Sequence, residues 1–233
     1  QEKKLAALED YDNYIGELRA KAAGSEEELK KQAGKLSALR KKQGKVLSKA
    51  IEDGLKDLNF ENVRFEIRFE ESKGYTAEGT DDVEFMISLN PGQPLKPLAS
   101  VASGGELSRI MLAIKTVMAS RDEIETLIFD EIDVGISGRT AQKVSEKMAV
   151  IGKAHQVICI THLAQIAAMA DWHYLIEKAT RRGDTRTDIR KLDEEESVKE
   201  LARILGGVKI TDTVIQSAVE MKELAKQTAG QRS

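Results

Sequence analysis

The sequence predicts an α/β fold: a parallel sheet flanked by helices, an antiparallel strand pair beside it, and a helical coiled-coil arm in front. Three patterns carry this. Apolar residues recur at alternating steps of three and four from Leu5 to Ala22, strict alternation runs through residues 62–70, and two short apolar runs, Leu127–Phe129 and Val157–Ile160, flank a segment of helical period.

In chain order, Leu5, Leu8, Tyr11, Ile15, Leu18 and Ala22 make a narrow apolar seam that Leu29, Leu36 and Leu39 resume. Gly24 and Ser25 interrupt it, Ser25 with Glu28 reads as a capping box, and Gly16, Gly34 and Gly44 lower helix stability. Two or three helices over residues 1–58, forming a short or broken arm, are expected. Residues 30–49 hold eight basic and no acidic side chains. Lys41, Lys42 and Lys45 are candidate contacts for DNA phosphates; the commoner use of such a run is a solvated helix face. Val63, Phe65, Ile67 and Phe69 share one face of a strand, and Val83, Phe85, Ile87 and Leu89 repeat the pattern. Pro91, Pro94 and Pro97 hold residues 90–99 as an extended loop that cannot be helix.

A helix follows Glu106, with Leu107, Ile110, Met111, Ile114, Val117 and Met118 on its buried side. Leu127–Phe129, helical residues 138–151 and Val157–Ile160 then form a β-α-β unit whose strands have the composition of a parallel sheet covered on both faces. A short helix over 163–170, strands at 173–177 and 185–192 with a turn at 181–184, and helices near 195–205 and 212–226 complete a second domain, residues 59–233.

Of 233 residues, 36 are basic and 39 acidic, a net charge of −3, so no global basicity advertises nucleic acid and any such surface must be local. The single cysteine, Cys159, lies in an apolar run, which excludes an internal disulfide or a Cys-based zinc site and fits a reducing cytoplasm. No charged-then-apolar pattern of a leader and no apolar run of membrane-spanning length is read in these 233 residues, which predicts a protein neither secreted nor embedded in a membrane. The start at Gln1, inside a helical pattern, predicts a piece of a longer polypeptide.

Chemistry concentrates between Val101 and Ser137. Ser103-Gly104-Gly105-Glu106 opens a helix. Ser103 and Glu106 alone would satisfy an ordinary capping box, but successive glycines also let an anion approach the backbone N–H groups. Asp130 and Glu131 end the strand Leu127-Ile128-Phe129, at the sheet edge where α/β proteins bind ligands. A carboxylate there can hold Mg²⁺ through a water and its neighbour can act as general base, or both can be idle solvated acids. His162 follows the second strand at the same edge and can orient a water or a phosphate. His155 and His173 lack this placement and read as surface loop histidines.

The segments ASGGELSRIM, LIFDEIDVGISGRTAQ and QVICITHLAQIAAMAD resemble the RecN family of bacterial DNA-repair ATPases, relatives of the structural-maintenance-of-chromosomes (SMC) proteins. The resemblance covers residues 101–171 closely and continues less strictly to about 212. It implies the C-terminal lobe of an ABC/SMC-type ATPase head. Ser103, Gly104, Gly105 and Glu106 would be the signature motif that meets ATP held by a second head. Asp130 would be the Walker B carboxylate on Mg²⁺ and Glu131 the catalytic base. Residues 133–137 would be the D-loop, with Asp133 and Ser137 facing nucleotide, and His162 the switch histidine. Related SMC heads usually carry an aspartate where this chain has Ser137.

No stretch satisfies the P-loop pattern: Gly44-Lys45 is followed by Val46 and has Leu39 where the first glycine belongs. By resemblance, the P-loop resides in an N-terminal lobe of the same protein. The expected partners are therefore that lobe, a second head in an ATP-dependent homodimer, and DNA, in the bacterial cytoplasm at the nucleoid and without membrane contact. A non-catalytic DNA- or partner-binding module, and the equivalent half of another SMC-type head, are the competing readings.

Overall fold

The computed structural model describes residues 2–101, 103–181, 184–207 and 209–230. Its first element is a single helix, α1 (Glu2–Lys56), not the two or three expected. At 1.5 Å per residue its 55 residues span about 80 Å. Each interior glycine costs about 1 kcal/mol against alanine. With no proline in the segment and strong helix formers around Gly16, Gly24 and Gly34, that cost weakens the helix without breaking it.

Most side chains from Tyr11 to Gln32 are exposed, and Tyr11, Leu18 and Leu29 of the seam lie open. Leu5 and Leu8 fall outside the described side chains. Beyond Ala33 the helix beds down, and Ile51 and Leu55 are fully buried. Gly44 has a packing reason, because a Cβ there would come within 3.0 Å of the Phe69 ring.

The strands β1 (Arg64–Thr76) and β2 (Gly79–Ser88) pair antiparallel, with Phe65 opposite Ile87 and Ile67 opposite Phe85. The expected alternation is present: Val63 and Phe65 are buried, Arg64 and Glu66 exposed. A two-residue strand, β3 (Lys96–Pro97), joins the free side of β2. A 3₁₀ turn follows at Leu98–Ser100, where no helical structure was expected. It is one turn long and begins after Pro97, whose fixed φ suits a helix start. The hairpin is latched to α1 by Ser37, which donates to Asp81 at 2.5 Å, and by Arg40, which donates to the Glu78 carbonyl at 2.6 Å. At the opposite end of β1, the backbone N–H of Phe65 donates to Glu52 of α1 at 2.9 Å.

Helix α2 (Gly104–Met118) leads to β4 (Thr126–Phe129), α3 (Gly138–Ile151) and β5 (Gln156–Cys159). β4 and β5 are parallel, with Phe129 opposite Cys159. Leu127 and Phe129 join a core with Ile51, Leu55, Phe65, Ile110 and Val144. Two expectations are corrected here. The buried side of α2 centres on Gly105, Arg109, Ile110 and Ala113, while Leu107, Val117 and Met118 are partly exposed, because α1 and α3 approach the helix from that side. The parallel pair is covered on one face only: Ile128 is 67% exposed, and Ile158 and Ile160 are 45% and 50% exposed.

A short helix, α4 (Ala164–Ala168), links this core to a second one formed with α5 (Glu194–Gly206) and α6 (Asp212–Gly230), where Leu201, Ala202 and Ala218 are fully buried. Between α4 and α5 in the chain, β6 (Tyr174–Arg181) and β7 (Asp184–Lys191) pair, among the described residues, only with each other. The expected turn at 181–184 falls partly outside the described residues. α5 starts with a complete capping box, Asp193 accepting from the Glu196 N–H and Glu196 accepting from the Asp193 N–H. Among the described residues, no helix is long and apolar enough to cross a membrane.

His155 is not a surface histidine, and His173 is partly buried. His155 is buried between the Ile124 and Ala119 carbonyls, at 2.7 and 3.2 Å. His173 meets the Ser197 hydroxyl at 2.9 Å, and Lys222 donates to the same hydroxyl at 2.8 Å. Burial, the largest influence, pushes the His173 imidazole below its ordinary 6.5; Glu200 opposes this and Lys222 adds to it. With the folded value depressed, the unfolded chain takes the proton first as pH falls. The stabilisation is therefore present above about pH 6.5 and lost through the window below it. The thermal midpoint is expected to fall more between about pH 7.5 and about pH 5.5 in the wild type than in His173→Gln. Equal losses would refute the assignment.

Candidate functional site

The site is built where the start of α2 meets the carboxyl ends of β4 and β5. Ser103 caps α2 in extended conformation, its hydroxyl accepting from the Glu106 N–H at 3.4 Å. The return contact of a full capping box, Glu106 to the Ser103 N–H, is not made among the described residues. One turn on, Ser108 donates to the Asp130 carbonyl at 2.8 Å, tying α2 to the end of β4.

There the backbone turns sharply. Asp130 accepts from the Glu131 N–H at 2.9 Å, and Glu131 has a φ of 57°, in the left-handed region that a non-glycine residue seldom occupies. The Glu131 carbonyl accepts from the Val134 N–H at 3.1 Å. Gly104 and Gly105 make this turn fit against α2. A Cβ on Gly104 would collide with the Glu131 carboxylate, and one on Gly105 would lie 2.9 Å from the Glu131 carbonyl oxygen. Gly104 is exposed and Gly105 is buried.

Asp133 is 3% exposed, and one of its oxygens gathers three groups from the end of β5. It accepts from the Thr161 hydroxyl at 2.6 Å and the His162 N–H at 2.8 Å, and lies 3.0 Å from His162 Nδ1. The His162 side chain is 70% exposed, so its other ring nitrogen is presented to solvent while Asp133 orients the ring. Cys159 beside it is pushed up to about 12, mainly by burial and further by Asp133 and Asp130, which leaves it an unreactive thiol. Ser137 caps α3 by position without a side-chain cap bond, and its carbonyl accepts from the Thr140 N–H at 3.2 Å.

Sequence reasoning selected Ser103, Gly104, Gly105, Glu106, Asp130, Glu131, Asp133, Ser137 and His162. The structure brings the glycine pair against Glu131 and Asp133 against His162. It leaves Lys41, Lys42 and Lys45 apart, exposed on α1, where Lys41 and Lys45 flank an open groove of ≈ 570 Å³ against Phe65, Ile67 and Phe69 of β1. Sequence reasoning missed Ser108, Thr161 and Arg109. The signal for Arg109 was a charge four residues after Gly105 and four before Ala113, on the face that packs.

Among the described residues no group of three or more His, Cys, Asp or Glu side chains could hold a metal by itself. Asp130 is exposed and gives one oxygen to the Glu131 N–H. That suits a single carboxylate ligand of Mg²⁺, an ion that keeps several waters and shares phosphate oxygens, and does not suit an all-protein cage.

Fold and site together define the class: an α/β protein whose polar groups converge at the carboxyl ends of two parallel strands, beside a glycine-opened helix. The chain belongs to the RecN family. It is 41% identical over 228 residues to the DNA repair protein RecN of Halalkalibacterium halodurans, covering 96% of this chain and 40% of that protein. It is 37% identical over 241 residues to RecN of Bacillus subtilis, covering 97% and 42%, and 52% identical over 143 residues to RecN of Treponema pallidum, covering 61% and 25%. The chain thus spans less than half the length of these curated relatives. No protein-family model matches it. Among solved structures, the Smc head domain with a coiled coil and joint from Pyrococcus yayanosii is similar, with a TM-score of 0.48, 21% identity, and coverage of 66% of this chain and 28% of that one.

Proposed function

We propose that this chain is the returning arm (residues 1–58) and C-terminal head lobe (59–233) of a cytoplasmic, ATP-dependent DNA double-strand-break repair protein, supplying half of each of two composite nucleotide sites. In this reading Ser103, Gly104, Gly105 and Glu106 meet ATP held by a second head, and Asp130 and Glu131 serve ATP held by the P-loop lobe of their own protein. Asp130 would hold Mg²⁺ through a water, and the ion would supply positive charge against the charge that develops on the phosphates. Glu131 takes the proton of the attacking water, Asp133 holds His162 toward the reacting edge, and Ser137, at the end of the D-loop, faces the nucleotide. Hydrolysis would gate a homodimer that holds or releases DNA.

The observation that carries this reading is the convergence at one edge of Gly104, Glu131, Asp133 and His162 through the contacts above. The bare face of β4–β5 supports a further lobe, since Ile128, Ile158 and Ile160 are apolar and exposed. The exposed seam of α1 likewise supports a partner helix.

The test is complementation: adding an N-terminal fragment that bears the P-loop is expected to restore Mg²⁺-dependent phosphate release to a mixture in which neither part alone is active. No rescue would favour a non-catalytic binding module. That alternative rests on Lys41, Lys42 and Lys45, which are exposed and open to a phosphate backbone.

A further inference from the structure

Arg109 is the least expected buried group in the chain. It is 7% exposed on the packed face of α2, and among the described residues no carboxylate makes an ion pair with it. Burial pulls its pKa down, and Glu106 on the same helix acts on it electrostatically in the opposite sense. Its Nη1 donates to the Ile132 carbonyl at 3.2 Å and to the Val134 carbonyl at 2.9 Å. The guanidinium lies 5.5 Å from the centre of the Phe60 ring, and the buried Nε has no hydrogen-bond partner. A buried cation without an ion pair is costly, and a leucine or methionine would fill the same space without that cost. Packing therefore does not account for an arginine here, whereas what it grips does.

The two carbonyls bracket Asp133, whose carboxylate holds Thr161 and His162. Nη1 also lies 3.3 Å from where a Gly105 Cβ would sit, so the same group closes the space behind the glycine pair. Phe60 follows the last turn of α1, its N–H donating to the Leu55 carbonyl at 3.2 Å.

We propose that Arg109 is a positioning residue: by gripping the main chain on both sides of Asp133 it sets Asp133, and through it the His162 ring, in register with the glycine-opened end of α2. It anchors that register on the root of the arm through Phe60. A donor is needed because a carbonyl can be held only by an N–H or O–H, two carbonyls at one atom need a donor with two hydrogens, and the long guanidinium stem carries such a donor to both. The proposal rests on the composite-site reading above.

The test compares the wild type, R109M, R109K and E131Q in the full-length protein, by phosphate release and fluorescent-ATP binding, with thermal midpoints recorded. R109M is expected to lower kcat about 10- to 100-fold with KM for ATP changed less than about threefold, since a misplaced catalytic group costs rate more than ground-state binding. R109K, which retains a cationic donor, is expected to stand between R109M and the wild type. Should R109M fail to fold, R109Q, whose neutral amide sits on a shorter stem than the guanidinium, carries the same comparison. A kcat within about twofold of the wild type for R109M while E131Q is inactive would overturn the role of Arg109 and leave the composite site standing. A loss of kcat matched by equal losses of ATP affinity and thermal stability would show a general packing role instead and also overturn it. Undiminished hydrolysis by E131Q would strike at the composite-site reading itself.

Discussion

Glu131→Gln in the full-length protein is expected to lower ATP turnover by about 10²- to 10⁴-fold, the range a positioned general base contributes, and to leave a persistent ATP-bound dimer. The substitution isolates chemistry from shape. Glutamine has the length and branching of glutamate, so the left-handed backbone at φ 57° and the bonds from the Glu131 N–H to Asp130 and from the Val134 N–H to the Glu131 carbonyl need not change. Basicity is what disappears. The carboxylate is exposed at the end of β4, where a water can reach it. Steady-state phosphate release reports the first effect, and light scattering with and without ATP the second. Turnover at the wild-type level would remove Glu131 from the role of base. Loss of turnover without a trapped dimer would keep the base and remove the link between hydrolysis and dissociation.

What the sequence disclosed and what it hid divide along the range of the forces involved. The alternation around Phe65 and the apolar runs at Leu127 and Val157 were legible because they reflect burial within one strand. The placement of Asp130, Glu131 and His162 at one edge followed from strand direction alone. The continuity of α1 was not legible, because a glycine marks a local penalty and does not show that the helix formers around Gly16 and Gly24, in a helix whose last turns dock on β1 and α2, outweigh it. The bare face of β4–β5 was hidden for the opposite reason: a run such as Leu127-Ile128-Phe129 shows that both faces are apolar, not whether this chain covers both. Asp133 was read as one position of a D-loop. That it grips His162 depends on how two loops 28 residues apart meet, which no spacing encodes.

Gly105→Val is expected to abolish turnover, by about 10²-fold or more, while ATP still binds. The in-trans reading gives one reason: the signature face would no longer approach the second head's nucleotide, while the P-loop that holds ATP is untouched. The packing gives another within the chain. A Cβ at Gly105 would stand 2.9 Å from the Glu131 carbonyl oxygen and 3.2 Å from the Val134 Cβ, so the turn that carries Glu131 would have to move. Gly104 separates the two causes. It is exposed, and an added Cβ would meet only the Glu131 side chain, whose carboxylate can rotate away. If the glycines act solely by packing, the Gly104→Ala defect should stay within its own head, through the displaced Glu131 carboxylate. If both glycines face a phosphate across a dimer, Gly104→Ala should be comparably damaging, and in heads mixed with Glu131→Gln its defect should fall on the nucleotide of the opposite head. An equal fall in ATP affinity and turnover for Gly105→Val would reject the in-trans placement, because that outcome requires the glycine to touch the nucleotide its own protein holds.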